Sequence, residues 1–444
     1  MCFYNVMIIF TLCLLSSLLM IRCQKKVCLD DNTDRISDLP RNVIDNILRY
    51  LSIDDLVKTS ILSRKWRYMW ASVPQLEFDN DFFLTCECVE GIESSSIITE
   101  ILLLHSGPLH KFTVHFSSED FISVENVCIN KWILFLSRKG VKVLELENLQ
   151  EKPYQIPSHI FSCHDLTHIH LSNFELPPVL NFCGFKSLVD LHLFDIIFKS
   201  GVLESLVSGC PILVKLTVSY CSGYERIYVS SPALKSLHIE DDKVIKSICL
   251  KQAQNLTSLT LLADGPGDNI DRDWVTDLLK DLSKLKRISL GTGYIEILSP
   301  GVGINLPVLL KDVKHLELNG VKLIEARELL FIGYVLESSS NLEELVIKNN
   351  SEDVETQLIF RDFDCANFIK LQTVNITVKT LYEPALDFIR FVLASSPALE
   401  ILTFKVDFGL SDAAKLLSIS SDLLRMERAS PRARVKLLHD VLIK

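Results

Sequence analysis

The sequence lacks an excess of basic residues. Its 46 Lys and Arg residues are outnumbered by 56 Asp and Glu residues, which gives a formal net charge of −10 at pH 7. A nucleic-acid-binding protein normally needs a positive field to displace counterions from phosphates. The basic and aromatic stretch at 64–70 would have to bind nucleic acid against an acidic background. We therefore predict that nucleic acid is not a partner.

The sequence also lacks any CxxC pair among its 13 scattered cysteines. Cys86 and Cys88 form the tightest pair, which is too isolated for a zinc site. An odd count without paired spacing does not indicate a disulfide framework either. We expect reduced thiols, most of them buried, in a protein of the nucleus or cytoplasm.

Catalytic and phosphate-binding motifs are missing as well. The chain contains no GxGxxG, P-loop, HExxH or GxSxG sequence. The glycine-rich stretch 291–303 lacks the strand–glycine–helix context of a phosphate site, and we interpret it as a loop. His164 and His168 have a possible ligand spacing, but no cysteine or carboxylate converges on them. We predict no metal, no cofactor and no active site, so that the protein is not an enzyme.

Charge is absent from the first 21 residues, and the run from Val6 to Ile21 is nearly all apolar. That length suits a membrane span. The positive charges follow the run, at Arg22, Lys25 and Lys26, which favours a cytosolic location for the remainder. Three interpretations stay open for segment 1–24: an anchor, a cleaved signal, or an upstream exon wrongly joined to the gene. We expect contact with a membrane only if segment 1–24 belongs to the protein. Residues 25–33 are predicted to form a linker.

Three short helical patterns occupy residues 34–79. Asp38 suits the start of the first helix, with Pro40 in its first turn, Ser52 begins an S-x-x-D capping pattern for the second, and Ser63 can cap a third. The apolar residues that share helix faces are Val43, Ile44, Ile47, Leu48 and Leu51, then Ile53, Leu56, Val57 and Ile61, then Trp66, Met69 and Trp70. So short a segment buries little surface alone, and its spare apolar positions predict a permanent protein partner.

This segment resembles the F-box of large plant protein families. The residues that carry the resemblance are Leu39-Pro40, Ile47-Leu48, Leu51, Val57, Thr59-Ser60, Leu62-Ser63, Arg64-Lys65-Trp66-Arg67 and Trp70. The family often has Leu-Pro where this chain has Leu51-Ser52, although a capping serine serves the same helix start. The resemblance implies docking on the Skp-type adaptor, and thereby on the cullin scaffold, of SCF ubiquitin ligases.

The resemblance also implies which residues are involved. Those expected to contact the adaptor, or to order that contact, are Leu39, Pro40, Ile44, Leu48, Leu51, Leu56, Val57, Leu62 and Trp66. We expect Val43 and Ile61 to fill the core of the F-box itself. The tryptophans would anchor the F-box to its partner or to the following domain, while the nearby cations keep their charged ends in water.

The pattern L-x-x-L-x-L recurs twelve times between residues 109 and 404, at intervals of 21 to 32 residues. This is the period of leucine-rich repeats. The last two apolar residues of each copy alternate along a short strand and point inward, and only stacked neighbours can bury them. We predict an α/β leucine-rich-repeat solenoid (horseshoe) over 80–360, preceded by a small all-α three-helix F-box domain.

One residue in each copy lies between the two inward positions and should face the open side of the solenoid. Reading the copies in order, this column is Val114, Glu145, His170, His192, Thr217, His238, Thr260, Ser289, Glu317, Val346, Asn375 and Thr403. We select Glu145, His170, His192, His238 and Glu317 as candidates for contacting a target protein. The three histidines also raise a metal or pH-sensing hypothesis, but a wet, mixed surface accounts for them more simply.

The layout from Trp132-Ile133 through "SGCPILVKLTV" and "SPALKSLHI" resembles the plant F-box/leucine-rich-repeat family, and 361–436 resembles its C-terminal FBD module. The FBD match is carried by Cys365, "LQTVNI", Glu383, "FIRFVLASSPALEILTF" and "RASPRARVKL". The resemblance implies a non-catalytic substrate-recognition subunit of an SCF-type ligase, which binds an unknown target for ubiquitination. Two alternatives remain: an F-box scaffold outside any ligase, and a secreted or membrane-anchored repeat receptor.

Overall fold

The computed structural model describes most of the chain. The described residues are 36, 38–62, 64–87, 93–116, 126–178, 182–250, 253–266, 284–299, 310–323, 325–349, 368–379, 383–406 and 413–439. The apolar segment Val6–Ile21 lies outside them. Among the helices that are described, none has both the length and the apolar character needed to cross a membrane.

The chain divides into two compact units, Met1–Leu213 with Cys221–Tyr224, and Val214–Tyr220 with Glu225–Lys444. The first unit begins with two helices, α1 (Arg41–Leu48) and α2 (Ile53–Lys58), followed by 3₁₀ turns at Thr59–Ile61 and Trp70–Ser72. The cap of α2 is confirmed, because Ser52 Oγ accepts a hydrogen bond from Asp55 N–H at 3.3 Å.

Two helix predictions in this segment are wrong. The first helix begins at Arg41, with Pro40 in the N-cap position. Asp38 instead forms an exposed ion pair with Lys65, at 3.2 Å. No α-helix follows α2 within described residues 64–72, which form turns and a 3₁₀ segment. A run this short gains too few hydrogen bonds to form a regular helix without further support.

The rest of the first unit alternates strands with helices. In chain order its elements are β1 (Gln75–Phe78), α3 (Asn80–Glu87), α4 (Ser94–Leu104), β2 (Lys111–Phe116), α5 (Asn126–Leu136), β3 (Val143–Asn148), β4 (Tyr154–Gln155), β5 (His168–Glu175), β6 (Asp190–Ile197) and α6 (Val202–Ser208). A 3₁₀ segment at Ser158–Ser162 precedes β5. The strands are parallel in the order β1-β2-β3-β5-β6, and β4 pairs with β5.

The sheet of the first unit begins within the F-box segment 34–79, because β1 starts three residues after the Trp70–Ser72 turn. Ala71 O accepts a hydrogen bond from Ser106 N–H at 2.8 Å, and Pro74 O accepts one from His110 N–H at 2.7 Å. His105 Nε2 lies 2.8 Å from Val73 O, and burial lowers the pKa of this ring. The F-box segment is therefore joined to the first strands by the backbone itself.

The second unit repeats the same plan. Its strands are β7 (Lys215–Ser219), β8 (Arg226–Tyr228), β9 (Ser236–Lys243), β10 (Ser247–Cys249), β11 (Ser258–Gly265), β12 (Arg287–Leu290), β13 (His315–Asn319), β14 (Glu344–Asn349), β15 (Thr373–Val378), β16 (Ile401–Val406) and β17 (Arg434–His439). Its helices are α7 (Thr292–Leu298), α8 (Ala326–Ser338), α9 (Glu383–Ser395) and α10 (Ala413–Arg425). The parallel order is β7-β9-β11-β12-β13-β14-β15-β16-β17, with β8 and β10 paired separately.

The predicted inward positions form the core of both units. In the first unit Leu144 is aligned with Phe112 on one side and Ile169 on the other, and each is at most 3% exposed. In the second unit Leu345 is aligned with Leu316 and Val374, all of them 0% exposed. These aligned rows confirm the leucine-rich-repeat pairing predicted from the spacing.

The interpretation of 291–303 as a loop is wrong for its first part. Helix α7 occupies Thr292–Leu298, and Tyr294 and Ile295 within it are fully buried. A Cβ atom on Gly293 would lie 2.2 Å from the carbonyl oxygen of Gly265. Glycine is therefore required for close backbone packing at this point, and not for a flexible loop.

Helix α8 carries a buried carboxyl group in its first turn. Glu328 is 1% exposed, and its Oε2 accepts a hydrogen bond from Lys322 N–H at 2.7 Å. Burial raises the pKa of Glu328 to about 7. This pKa lies above the ordinary value of 4.5. The contribution of the protonated Glu328 carboxyl to the free energy of unfolding is therefore fully present below pH 4.5 and is lost as the pH rises through 7.

Replacing Glu328 by Gln should reverse that loss. The amide oxygen can still accept the Lys322 hydrogen bond, and no charge has to be buried. We expect E328Q to raise the free energy of unfolding by about 2 kcal/mol near pH 8, with a much smaller change near pH 5. Urea unfolding at the two pH values measures both effects. An equal change at both would show that the Glu328 carboxylate is not the cause.

Candidate functional site

Five of the nine predicted adaptor residues form the interior of the F-box segment. Their exposed fractions are at most 4%, for Ile44, Leu48, Leu56, Val57 and Trp66. Side chains buried to this degree cannot meet another protein directly. They fill the interior between α1, α2 and the following turn. An ordering role in adaptor contact stays a prediction for these five residues.

The other four predicted adaptor residues reach the surface. Leu62 is 65% exposed and Pro40 is exposed, while Leu39 and Leu51 are half-buried. Direct contact of these four with an adaptor stays a prediction.

The expectation that Val43 and Ile61 fill the core is wrong. Val43 is 37% exposed and Ile61 is 53% exposed. Along α1, Val43 and Ile47 lie four residues apart and share a face, as do the buried Ile44 and Leu48. The helix thus has two apolar stripes, one turned inward and one outward, and sequence reasoning treated them as one.

The exposed apolar residues of this segment are called here the F-box apolar surface. The name covers the five that lie on or next to the two helices, Val43 and Ile47 on α1, Tyr50 just after α1, and Ile61 and Leu62 after α2, while Ile36 and Tyr68 of the same segment are also exposed. Tyr50 is 91% exposed and is also the member that sequence reasoning missed. Exposed apolar residues indicate an interaction surface where they form a contiguous patch.

The basic and aromatic stretch 64–70 also divides into buried and exposed side chains. Trp66 and Trp70 are at most 3% exposed, while Arg64, Lys65 and Arg67 are exposed. The tryptophans therefore anchor the segment inside its own unit. The surrounding cations remain in water, which is where charged groups cost least.

Three of the predicted target-contact residues meet on the open face of the first unit. Glu145, His170 and His192 lie on β3, β5 and β6, and Glu145 is aligned with His170 and His170 with His192. The two imidazole rings stack with centroids 4.2 Å apart and planes inclined by 11°. Burial lowers the pKa of His170, although Glu147 and Glu145 act in the opposite direction.

Carboxylates on β3 are held by neighbours on β2. Glu145 Oε2 accepts a hydrogen bond from Thr113 Oγ1 at 2.9 Å and lies 3.2 Å from Lys111 Nζ. Glu147 Oε2 lies 2.6 Å from His115 Nδ1.

The predicted column of outward residues needs one correction, because Val114 is fully buried and Thr113 is the residue aligned with Glu145.

The remaining two candidates lie in the second unit. His238 Nε2 is 3.2 Å from Glu240 Oε2 on β9. Glu317 Oε1 is 2.6 Å from Lys348 Nζ. Burial alone would raise the pKa of Glu317, but the Lys348 ammonium and the Ser289 hydroxyl hold it below its ordinary value. Within the described residues, no three His, Cys, Asp or Glu side chains converge as a metal site requires.

Sequence reasoning also missed a surface cleft in the first unit. The cleft has a volume of about 780 Å³ and lies between α5 and β4, where Lys131, Tyr154, His159 and Glu175 contribute to its lining. No residue motif marks it, because its walls come from segments far apart in the chain.

Comparison with known proteins identifies both parts of the chain. The F-box domain family matches residues 36–77, and the LRR repeats of "FBD-associated F-box protein At5g56370" match residues 129–273. F-box/FBD/LRR-repeat protein At1g13570 of Arabidopsis thaliana is 35% identical over 424 residues, covering 92% of this chain and 100% of the relative. F-box/LRR-repeat protein At4g14103 of the same plant is 30% identical over 72% of this chain and 86% of its own length.

Among solved structures, an LRR protein of Leptospira interrogans aligns with 93% of this chain and 100% of its own length. The TM-score is 0.39 and the identity 15%. This likeness is too weak to add to the assignment.

Burial predicts a large loss of stability at one leucine of the F-box segment and almost none at another. Leu48→Ala should lower the stability of α1 by about 3 kcal/mol, because it leaves a cavity in a closed core. Leu62→Ala removes an exposed side chain and should change stability by less than about 0.5 kcal/mol. Hydrogen exchange of the α1 amides in the full chain measures both. Similar exchange rates in the two variants would contradict the division into core and surface.

The stacking of His170 on His192 predicts how the pKa of His170 responds to removal of its neighbour. The pKa of His170 should lie below the ordinary 6.5, because protonation would charge a partly buried ring. His192→Ala removes the covering ring and should raise that pKa, whereas His159→Ala, at an exposed site, should not. NMR titration of the imidazole signals gives both values. An unchanged His170 midpoint in the His192 variant would refute this account.

Proposed function

This chain belongs to the plant F-box/FBD/LRR-repeat protein family, and from that premise we propose that it is the substrate-recognition subunit of an SCF-type ubiquitin ligase. The observation that carries the proposal is the F-box apolar surface. Leu62 and Tyr50 are 65% and 91% exposed on a segment whose core is already filled by other residues. These side chains are thus available to a Skp-type adaptor, which would connect the chain to a cullin.

The repeats would supply target recognition. The open face of the first unit brings Glu145, His170 and His192 together on adjoining strands. Such a surface, polar and partly charged, suits specific contacts with a folded protein. Catalysis would then be a matter of proximity, because tethering raises the local concentration of target lysines near a ubiquitin-loaded enzyme. In this proposal the chain itself supplies no active site.

The state of the cysteines supports a location in the nucleus or cytoplasm. Within the described residues, Cys163 and Cys210 are free, buried thiols. Burial raises the pKa of the Cys163 and Cys210 thiols to about 12, which keeps them protonated and unreactive. Reduced thiols are typical of these compartments.

Adaptor recovery tests the docking part of the proposal. We expect the full chain to co-purify with a Skp-type adaptor, and Leu62→Asp combined with Tyr50→Asp to abolish this. A carboxylate buried without a partner at the interface costs several kcal/mol. Leu103→Asp is the matched control, because Leu103 is 70% exposed on α4, outside the F-box. Leu48→Asp is unsuitable, since it would unfold the core.

Unchanged adaptor recovery by the folded double variant would contradict the docking role. The second candidate, a scaffold that binds the adaptor without ubiquitin transfer, needs a separate assay. A reconstituted complex with cullin, ubiquitin-activating enzyme and ubiquitin-conjugating enzyme should modify a protein bound to the repeats. Binding of the adaptor and target without transfer would favour the scaffold.

A further inference from the structure

Among the described residues, strand β17 is the last of the parallel sheet in the second unit. It pairs in parallel with β16, and no other strand of the described residues pairs with it. Arg434 N–H donates to Glu400 O at 2.9 Å. In a parallel ladder the residues alternate in the direction of their backbone groups. The N–H and C=O groups of Val435 and Leu437 therefore point away from β16, where an added strand would find them.

The core row is also incomplete at this end. Leu402 and Phe404 of β16 are 0% exposed, whereas their aligned partners on β17, Val435 and Leu437, are only half-buried. Along the order β7-β9-β11-β12-β13-β14-β15-β16 each inward pair is covered by the next strand, and Val435 and Leu437 have no such cover in the described chain. Burying them further would be favourable, at about 25 cal/mol for each Å² of apolar area.

The other face of β17 is cationic. Arg434 and Lys436 are exposed and alternate with Val435 and Leu437. From Arg428 to Leu438 the chain has four basic residues and no acidic one, although the whole chain carries a net charge of −10. The nearest acidic residues in the sequence are Glu427, just before this run, and Asp440, which follows it after His439. Within the described residues, neither Arg434 nor Lys436 forms an ion pair.

We propose that the open edge of β17 binds an extended segment of another protein by β-strand addition, and that this segment alternates acidic with apolar residues. The acidic side chains would lie beside Arg434 and Lys436, and the apolar ones would cover Val435 and Leu437. Backbone hydrogen bonds to an open edge give affinity, and alternate side chains give specificity. Opposite charges directly across two strands are favourable.

A second copy of this chain fits the edge poorly. Pairing two β17 strands would place arginine and lysine side chains near one another, and like charges in that position are destabilising. The same cations that oppose self-association therefore favour an acidic segment. This function is separate from adaptor docking, which uses the first unit.

The test uses the full chain and a labelled peptide of sequence Asp-Ile-Glu-Val-Asp-Ile. A peptide of the same composition in the order Asp-Glu-Asp-Ile-Ile-Val breaks the alternation and serves as the control. We expect fluorescence anisotropy to show binding of the alternating peptide, and Arg434→Glu with Lys436→Glu to weaken it about tenfold or more. Arg425→Glu with Arg432→Glu changes the charge equally but off the strand, and should weaken binding less than threefold.

Hydrogen exchange identifies the mode of binding. Strand addition should slow exchange of the Val435 and Leu437 amides when the peptide binds, while the Lys436 amide, already bonded to β16, changes little. The proposal is overturned if the alternating peptide does not bind, if both peptides bind equally, or if binding leaves the two amides unprotected. A dimer of the unmutated chain that the Arg434 and Lys436 variant abolishes would also overturn it.

Discussion

Burial of apolar side chains that no single repeat can hide is the constraint on which this protein depends. Each strand offers a pair such as Leu144 and Leu146, and the pair is buried only because neighbouring strands align with it. The carboxylates and imidazoles between these pairs are then forced to the opposite face. The buried core and the polar open face thus follow from one alternation along the strands.

Much of the fold could be predicted from the sequence, because the repeat spacing directly reflects this burial. The Ser52 cap could be predicted as well, from the S-x-x-D pattern. Helix α7 was not predicted, since the glycine that lets it pack against Gly265 resembles loop chemistry. Burial within the F-box segment was also misjudged at Val43 and Ile61. Hydrophobicity alone does not say whether a side chain fills a core or awaits a partner.

The candidate site illustrates the same limit. The resemblance located the F-box correctly, but most of the residues chosen for adaptor contact, including Leu48 and Trp66, are buried inside it. The exposed Tyr50 escaped notice because it lies beyond the helix pattern. On the repeats, Glu145, His170 and His192 were placed together correctly because strand register preserves the sequence column. The stacking of two imidazoles, however, depends on side-chain geometry that spacing does not encode.

The direct join between the F-box segment and the first strands has a mechanical consequence. Only Val73 and Pro74 separate the Trp70–Ser72 turn from β1, and hydrogen bonds from Ser106 and His110 fix this passage. So short a connection, held by hydrogen bonds, restricts rotation of the F-box helices relative to the first strands. In a ligase, an adaptor bound to the F-box helices would therefore fix the orientation of the first repeats relative to the adaptor. Under the proposed ligase role, lengthening this passage would change which target lysines come within range, without altering a binding contact.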